Sequence, residues 1–227
     1  MTDQSDVWLI MPVYNEAAVV ADVLDEALRV FPNVVCVDDG SRDASVAAIR
    51  RTGARLVRHP LNLGQGAALQ TGIEYARSRP GARYFVTFDA DGQHRVADAA
   101  AMVEVLRAGG ADIVVGSRFG GDTRHIPLLK KLVLRTAARL SPAGRSLQLT
   151  DSHNGLRAFN RLVADEIDLT SNGMAHASEF VLLIARRGWR VIEQPVRILY
   201  SRYARAKGQS LLNGVNIVFE TAVRPRV

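Results

Sequence analysis

The chain has 227 residues, 48% apolar and 23% charged, with 18 Gly and 8 Pro. That is the composition of a globular protein and excludes a disordered, collagenous or coiled-coil chain; the length suits one large α/β domain around one core. The net charge of +6 is uneven: residues 1–100 carry 10 basic and 13 acidic side chains, and residues 101–227 carry 19 and 10. Two windows, 118–145 and 186–207, each hold seven Arg or Lys against one acid. Such windows predict an anionic partner, and nucleotide phosphates, acidic lipid and nucleic acid satisfy them alike, as does a plain solvated face.

Val7-Trp8-Leu9-Ile10-Met11 is a short apolar run ended by Pro12, and Ala17 to Val30 repeats apolar residues at helical spacing. The unit recurs as strand 34–37 and helix 43–51, strand 55–57 and helix 66–78, strand 84–88 and helix 96–108, then strand 113–115. Strands alternating with helices predict a mostly parallel sheet flanked by helices, with ligands at the carboxyl ends of the strands. After about residue 120 the alternation gives way to a basic helix at 126–140, the segment 150–160, a helix near 178–187 and strand-like 191–200. This is read as an extension of the same domain. The lone Cys36 lies in an apolar strand and predicts a buried thiol in a reducing, cytosolic setting. No apolar run reaches ~18 residues, and the acidic N-terminus is unlike a signal peptide, so neither a span nor export is expected.

Polar clusters stand where this fold places its ligands. Asp89-Ala90-Asp91 follows the fourth strand, and carboxylates at i and i+2 on a turn can face one Mn²⁺ or Mg²⁺ together, with Gln93 as a further oxygen donor. The alternative is a helix cap followed by an Asp-Gly turn. Asp38-Asp39-Gly40-Ser41 reads either as an N-cap and tight turn or as a carboxylate for a nucleotide base or ribose. Asn62-Leu63-Gly64-Gln65-Gly66 opens a helix whose first amides offer donors to an anion. Pro12 and Tyr14 stand where a dinucleotide fingerprint needs glycines, which argues against NAD.

Together with Met11-Pro12-Val13-Tyr14-Asn15-Glu16, Gly116-Ser117-Arg118-Phe119 and Thr150-Asp151-Ser152-His153-Asn154-Gly155-Leu156-Arg157, these motifs resemble, from about Ile10 to about Ser210, the family 2 glycosyltransferases of GT-A fold, and within them the polyprenyl-phosphate sugar synthases. The resemblance implies one glycosyltransferase domain over 1–227, with a nucleotide-sugar half at 1–118 and an acceptor half at 119–227. It also implies inverting transfer from a nucleotide-diphosphate sugar (UDP-hexosamine, UDP-glucose or GDP-mannose) to polyprenyl phosphate, with no nucleic-acid partner. By the same resemblance Pro12, Tyr14, Glu16 and Asp39 line the base and ribose pocket, Asp89, Asp91 and Gln93 hold Mn²⁺ or Mg²⁺, Arg118 faces the reaction centre, and the loop bearing Arg202, Arg205 and Lys207 closes over the phosphates.

Many such relatives carry transmembrane helices; here the helix at 126–140 offers membrane access. Lys131, Arg135 and Arg139 fall on one arc of a helical wheel, beside an arc of Leu129, Leu132, Val133, Thr136, Ala137 and Leu140. A basic amphipathic helix can lie in a membrane interface at the cytoplasmic face, with Arg118, Arg135 and Arg139 holding the acceptor phosphate. Leu128 and Leu134 fall off the apolar arc and leave an ordinary core helix as the other reading; a small membrane protein is a further candidate anchor. A sugar-hydroxyl acceptor would need a base, for which Asp151 is the candidate, its alternative being a loop anchor. Glu179 either reaches the acceptor pocket or caps its helix, and His153 and His176 receive no catalytic role. Two rivals remain: a nucleotidylyltransferase, whose Gly- and Arg-rich first loop is absent, and a non-catalytic nucleotide-sugar-binding protein.

Overall fold

The computed structural model describes residues 3–119, 147, 149–151 and 154–199. Its elements are β1 (Val7–Val13), α1 (Val20–Leu28), β2 (Asn33–Asp38), α2 (Ser45–Ile49), β3 (Arg55–Arg58), α3 (Gln65–Arg77), β4 (Tyr84–Thr87), α4 (Val96–Arg107), β5 (Ile113–Ser117), β6 (Arg157–Asn160), α5 (Arg161–Glu166), α6 (His176–Arg187) and β7 (Val191–Pro195). Seven strands form one sheet in the order β3-β2-β1-β4-β6-β5-β7. β1 pairs in parallel with β2 and β4, β2 with β3, and β5 with β7.

β1 is apolar throughout, and β2 over Val34–Val37, because both faces of the sheet are covered. Leu9, Met11, Val34 and Cys36 turn to one face, under α1, α2 and α4, while Trp8, Ile10 and Val35 turn to the other, under α3, α5 and α6. Cys36 is buried, and burial pushes its thiol pKa up.

Two expected boundaries are corrected. The helix read over 43–51 is the five-residue α2, because Asp43 turns back on itself: its Oδ1 accepts from Ser45 N at 2.9 Å and its Oδ2 from Ala17 N at 3.1 Å. The strand read over 191–200 ends at Pro195, which lies opposite Ser117, the last residue of its partner β5. Within the mostly parallel sheet β6 lies between β4 and β5, antiparallel to both. The basic helix expected at 126–140 lies outside the described residues.

Asp112 ties the far side of the sheet together. Its Oδ1 accepts from Arg190 Nη2 at 2.8 Å and Asn160 Nδ2 at 3.1 Å, and its Oδ2 from Arg190 N and Nε at 3.0 Å each. The hydrogen bonds from the Arg190 side chain outweigh burial and bring Asp112 to about 2, below its ordinary 3.8. A carboxylate lowered on folding stabilises above its unfolded value, and that contribution is lost as pH falls through the folded one. Asp112→Ala should therefore cost about 1–3 kcal/mol at neutral pH by stranding its donors. In urea unfolding the gap between wild type and variant should hold above pH 3.8 and close as pH falls to about 2; a gap that is constant with pH contradicts this.

Candidate active site

The loops after β1 and β2 are bound to each other. Asn15, at φ 55°, donates its amide to Ser41 Oγ at 2.9 Å and accepts Arg42 N on Oδ1 at 2.8 Å, while Glu16 N donates to Ser45 Oγ at 2.8 Å. A left-handed turn is tolerable for Asn, whose side chain bonds locally; here it aims Tyr14 and Glu16 at the same cleft as Pro12. Asp39 also lines that cleft, but it does not cap α2. Its Oδ1 accepts from Leu63 N at 2.9 Å and meets His59 Nδ1 at 2.7 Å, and its Oδ2 accepts from Gly64 N at 2.8 Å. Gly66 N and Ala67 N donate to Asn172 O at 2.7 and 3.3 Å. The amides expected to bind an anion are thus taken up by the protein, and Asp39 is a hub that fixes the loop before α3.

Asp89 and Asp91 follow β4 into the same cleft, a cavity of about 440 Å³ at the carboxyl ends of β1, β2 and β4. The Asp89 side chain is 30% exposed there and enclosed by protein on its other sides. Its Oδ1 accepts from Gln65 Nε2 at 3.0 Å, and its Oδ2 lies 2.9 Å from His94 Nε2. Burial alone would raise Asp89, yet the His94 hydrogen bond above all, and more weakly the charge of Arg157, hold it below the ordinary carboxylate value. An ionised carboxylate only accepts, so His94 Nε2 carries the proton. Asp91 goes the other way, raised by burial and then by the charge of Asp89. Two such carboxylates form the part of the cleft that can hold a divalent cation, which removes the repulsion between them. Gln93 gives its backbone N to Asp91 Oδ1 at 3.0 Å and its Nε2 to Asp91 Oδ2, so it orients the second carboxylate. Among the described residues no group of three or more His, Cys, Asp and Glu could hold a metal; two carboxylates would leave such an ion open to further oxygen donors from a ligand.

Behind Asp89 lies a buried cation that sequence reading missed. Arg157, 1% exposed, opens β6, reaches the cleft, and stacks its guanidinium 4.6 Å from the ring centre of Phe180. Burial pulls it down to about 10, against the charges of Asp89 and Asp151, so it stays protonated at neutral pH. An Arg between Leu156 and Ala158-Phe159 was the available signal, since a charge inside an apolar strand demands carboxylates. Gly155 makes this closeness possible: a Cβ there would lie 2.3 Å from Asp89 Oδ2.

Asp151 and Arg118 form a separate unit outside the residues lining the cleft. Arg118 gives Nε to Asp151 Oδ2 at 2.6 Å, Nη2 to Oδ1 at 2.9 Å and its backbone N to Oδ2 at 3.0 Å. Burial opposes ionisation of Asp151, but the Arg118 charge and hydrogen bonds prevail and hold it low. A carboxylate held in this way is a poor base. Glu193, not anticipated, fixes the pair by accepting Thr150 N, Thr150 Oγ1 and Asp151 N, each at 2.8 Å. Glu179 accepts from Thr170 N at 3.0 Å, Thr170 Oγ1 at 2.6 Å and Ser171 N at 2.8 Å; it anchors that loop and is not among the residues lining the cleft. Arg135, Arg139, Arg202, Arg205, Lys207 and His153 lie outside the described residues.

With this geometry in view, residues 8–167 match the family described as glycosyl transferase family 2. The chain belongs to that family. A protein of Methanocaldococcus jannaschii described as uncharacterised is 31% identical over 224 residues, covering 96% of this chain and 91% of its own. The UDP-N-acetylglucosamine–dolichyl-phosphate N-acetylglucosaminyltransferase of Methanococcus voltae is 27% identical, covering 94% and 93%. Among solved structures, glucosyl-3-phosphoglycerate synthase from Mycobacterium tuberculosis, in complex with Mn²⁺ and UDP-glucose, superposes with a TM-score of 0.69 at 18% identity over 98% of this chain and 80% of its own. That likeness shows the fold, a GT-A type sheet.

In this family 2 glycosyltransferase Gly155→Ala is a test of the carboxylate geometry. The new methyl displaces Asp89, which His94 and Gln65 otherwise hold. The variant should keep its circular dichroism while its Mn²⁺ affinity falls by about 10- to 100-fold, the cost expected when a metal ligand loses its support. Unchanged Mn²⁺ titration in the variant would show that Asp89 is not a ligand.

Proposed function

We propose that this chain transfers a sugar, with inversion, from a UDP-sugar to a polyprenyl phosphate at a membrane surface. The observation that carries the reading is the Asp89–Asp91 pair, two carboxylates of which one is held ionised and the other raised by it, in the cleft where this fold takes its ligands. The names of a UDP-dependent dolichyl-phosphate relative and of a structural neighbour with UDP-glucose support the donor class, and the first supports the acceptor. The basic windows 118–145 and 186–207 suit an anionic acceptor and surface. Among the described residues no helix is long and apolar enough to cross a membrane, and contact through helix 126–140, at the cytoplasmic face, belongs to the proposal.

Pro12, Tyr14 and Glu16 receive the base and ribose, on loops set by Asp39 and Asn15. Asp89 and Asp91 hold Mn²⁺ or Mg²⁺, with Gln93 orienting Asp91; when bound, the ion supplies charge stabilisation for the departing diphosphate. Gln65, His94 and Arg157 keep Asp89 ionised and fixed in direction, so no reorganisation is needed as charge develops. A phosphate monoester, with second pKa about 6, is largely dianionic at neutral pH and attacks the anomeric carbon without a base. Arg118, aimed by Asp151 and Glu193, is placed by this reading beside that phosphate together with Arg135 and Arg139, and Arg202 and Lys207 beside the donor.

Incubation with UDP-N-acetylglucosamine, UDP-glucose or GDP-mannose, Mn²⁺ and a short polyprenyl phosphate should yield glycosylated lipid phosphate and free nucleoside diphosphate by mass analysis. Asp91→Asn should lower the rate at least about 10²-fold, and chelation should abolish it. Nucleotide-sugar binding with no product from any acceptor would identify a non-catalytic binder instead. Asp151→Asn separates the acceptors: transfer to lipid phosphate should fall by less than about 10²-fold, the smallest loss expected when a general base is removed, whereas a larger loss in a folded, donor-binding protein favours a sugar-hydroxyl acceptor.

A further inference from the structure

His176 is the first residue of α6, 3% exposed, and it lines the cleft beside Arg157. Its Nδ1 lies 2.8 Å from Gly173 O. A carbonyl only accepts, so Nδ1 bears the hydrogen, and Nε2 of the neutral ring presents a lone pair. Burial and then the charge of Arg157 lower its pKa to about 4, so the ring is neutral at physiological pH. Among the described residues Nε2 has no hydrogen-bond partner.

The base of the side chain is backed by α3, and the ring is tied to its own loop through Gly173 O. Gly66 at the start of α3 is pressed against this loop so closely that a Cβ would lie 1.9 Å from Ser171 O and 2.9 Å from the His176 Cβ. A fixed lone pair repels phosphate oxygens and selects a group that donates. Across the sheet the cleft runs from Asp39 after β2, past Tyr14 after β1, to Asp89 after β4 and Arg157 at the start of β6. With the base near Asp39 and Tyr14 and the diphosphate at Asp89 and Asp91, the part of the donor that reaches Arg157 and His176 is the transferred sugar.

We propose that His176 Nε2 accepts a hydrogen bond from a hydroxyl of the transferred sugar and so makes the cleft selective for a sugar nucleotide over the bare nucleoside diphosphate. This rests on the donor-binding reading above. Asn at this position keeps an N–H for Gly173 O and lacks Nε2, while Gln can set an amide oxygen where Nε2 stood. Calorimetric titration of the full chain with Mn²⁺ would compare UDP with UDP-N-acetylglucosamine and UDP-glucose, and GDP with GDP-mannose. His176→Asn should weaken the sugar nucleotide at least about fivefold, the worth of one hydrogen bond. Affinity for the bare diphosphate should stay the same, and His176→Gln should recover part of the loss. Equal weakening of both ligands would assign the contact to the ribose, and no weakening of either would remove it; both overturn the proposal. If the Asn variant unfolds, His176→Met fills the ring volume with only a weak acceptor and is read in the same way. Wild-type protein that binds no sugar nucleotide would instead sink the functional reading itself, whereas wild-type binding with an indifferent variant sinks only the role of His176.

Discussion

The repulsion between Asp89 and Asp91 is the constraint around which the site is built. Two carboxylates two residues apart, in a partly enclosed cleft, cannot both ionise without positive charge or donors close by. The fold supplies these unequally. Asp89 has Gln65, His94 and the Arg157 charge, while Asp91 has the Gln93 amide and side chain and is left raised. The residual demand is for a cation with open positions, and a metal–diphosphate donor brings one.

Delivery of that positive charge explains the irregular part of the sheet. A purely parallel continuation would set β5 beside β4 and leave Arg157 elsewhere. β6 intrudes instead, antiparallel, so that its first residue lies at the carboxyl end of β4. Gly155 then brings the backbone against Asp89 itself. The same crossover supplies the Thr150–Asp151 segment, which Glu193 holds and which in turn clamps Arg118. Anchoring carboxylates thus outnumber those offered to a ligand: Asp39, Asp112, Asp151, Glu179 and Glu193 are all consumed by protein donors. This is how loops around a cleft are made rigid in a chain whose strands end there.

The first half of the chain was legible because its signals are local. Val34–Val37 is a buried strand by its apolar run alone, and Asp89-Ala90-Asp91 stands out as a candidate ligand turn by its spacing after one. Reading was incomplete where a residue's partners are distant in sequence. Asp39 is consumed by amides 24 and 25 residues away, and the amides at the start of α3 by Asn172. Nothing nearby in sequence announces either contact. Arg157 was visible as a charge in an apolar strand, but its partners were not.

The sequence by itself determined the alternation of strands and helices, the rim at which ligands bind, the pair of carboxylates and the family, because periodicity and motif spacing are properties of short stretches of chain. Tertiary structure alone decided which carboxylates face a ligand and which are spent on protein, that β6 enters the sheet reversed, and that Arg157 and His176 meet at the cleft. Those outcomes depend on which distant donors and charges are brought together, and burial makes each such pairing obligatory only once the chain has folded.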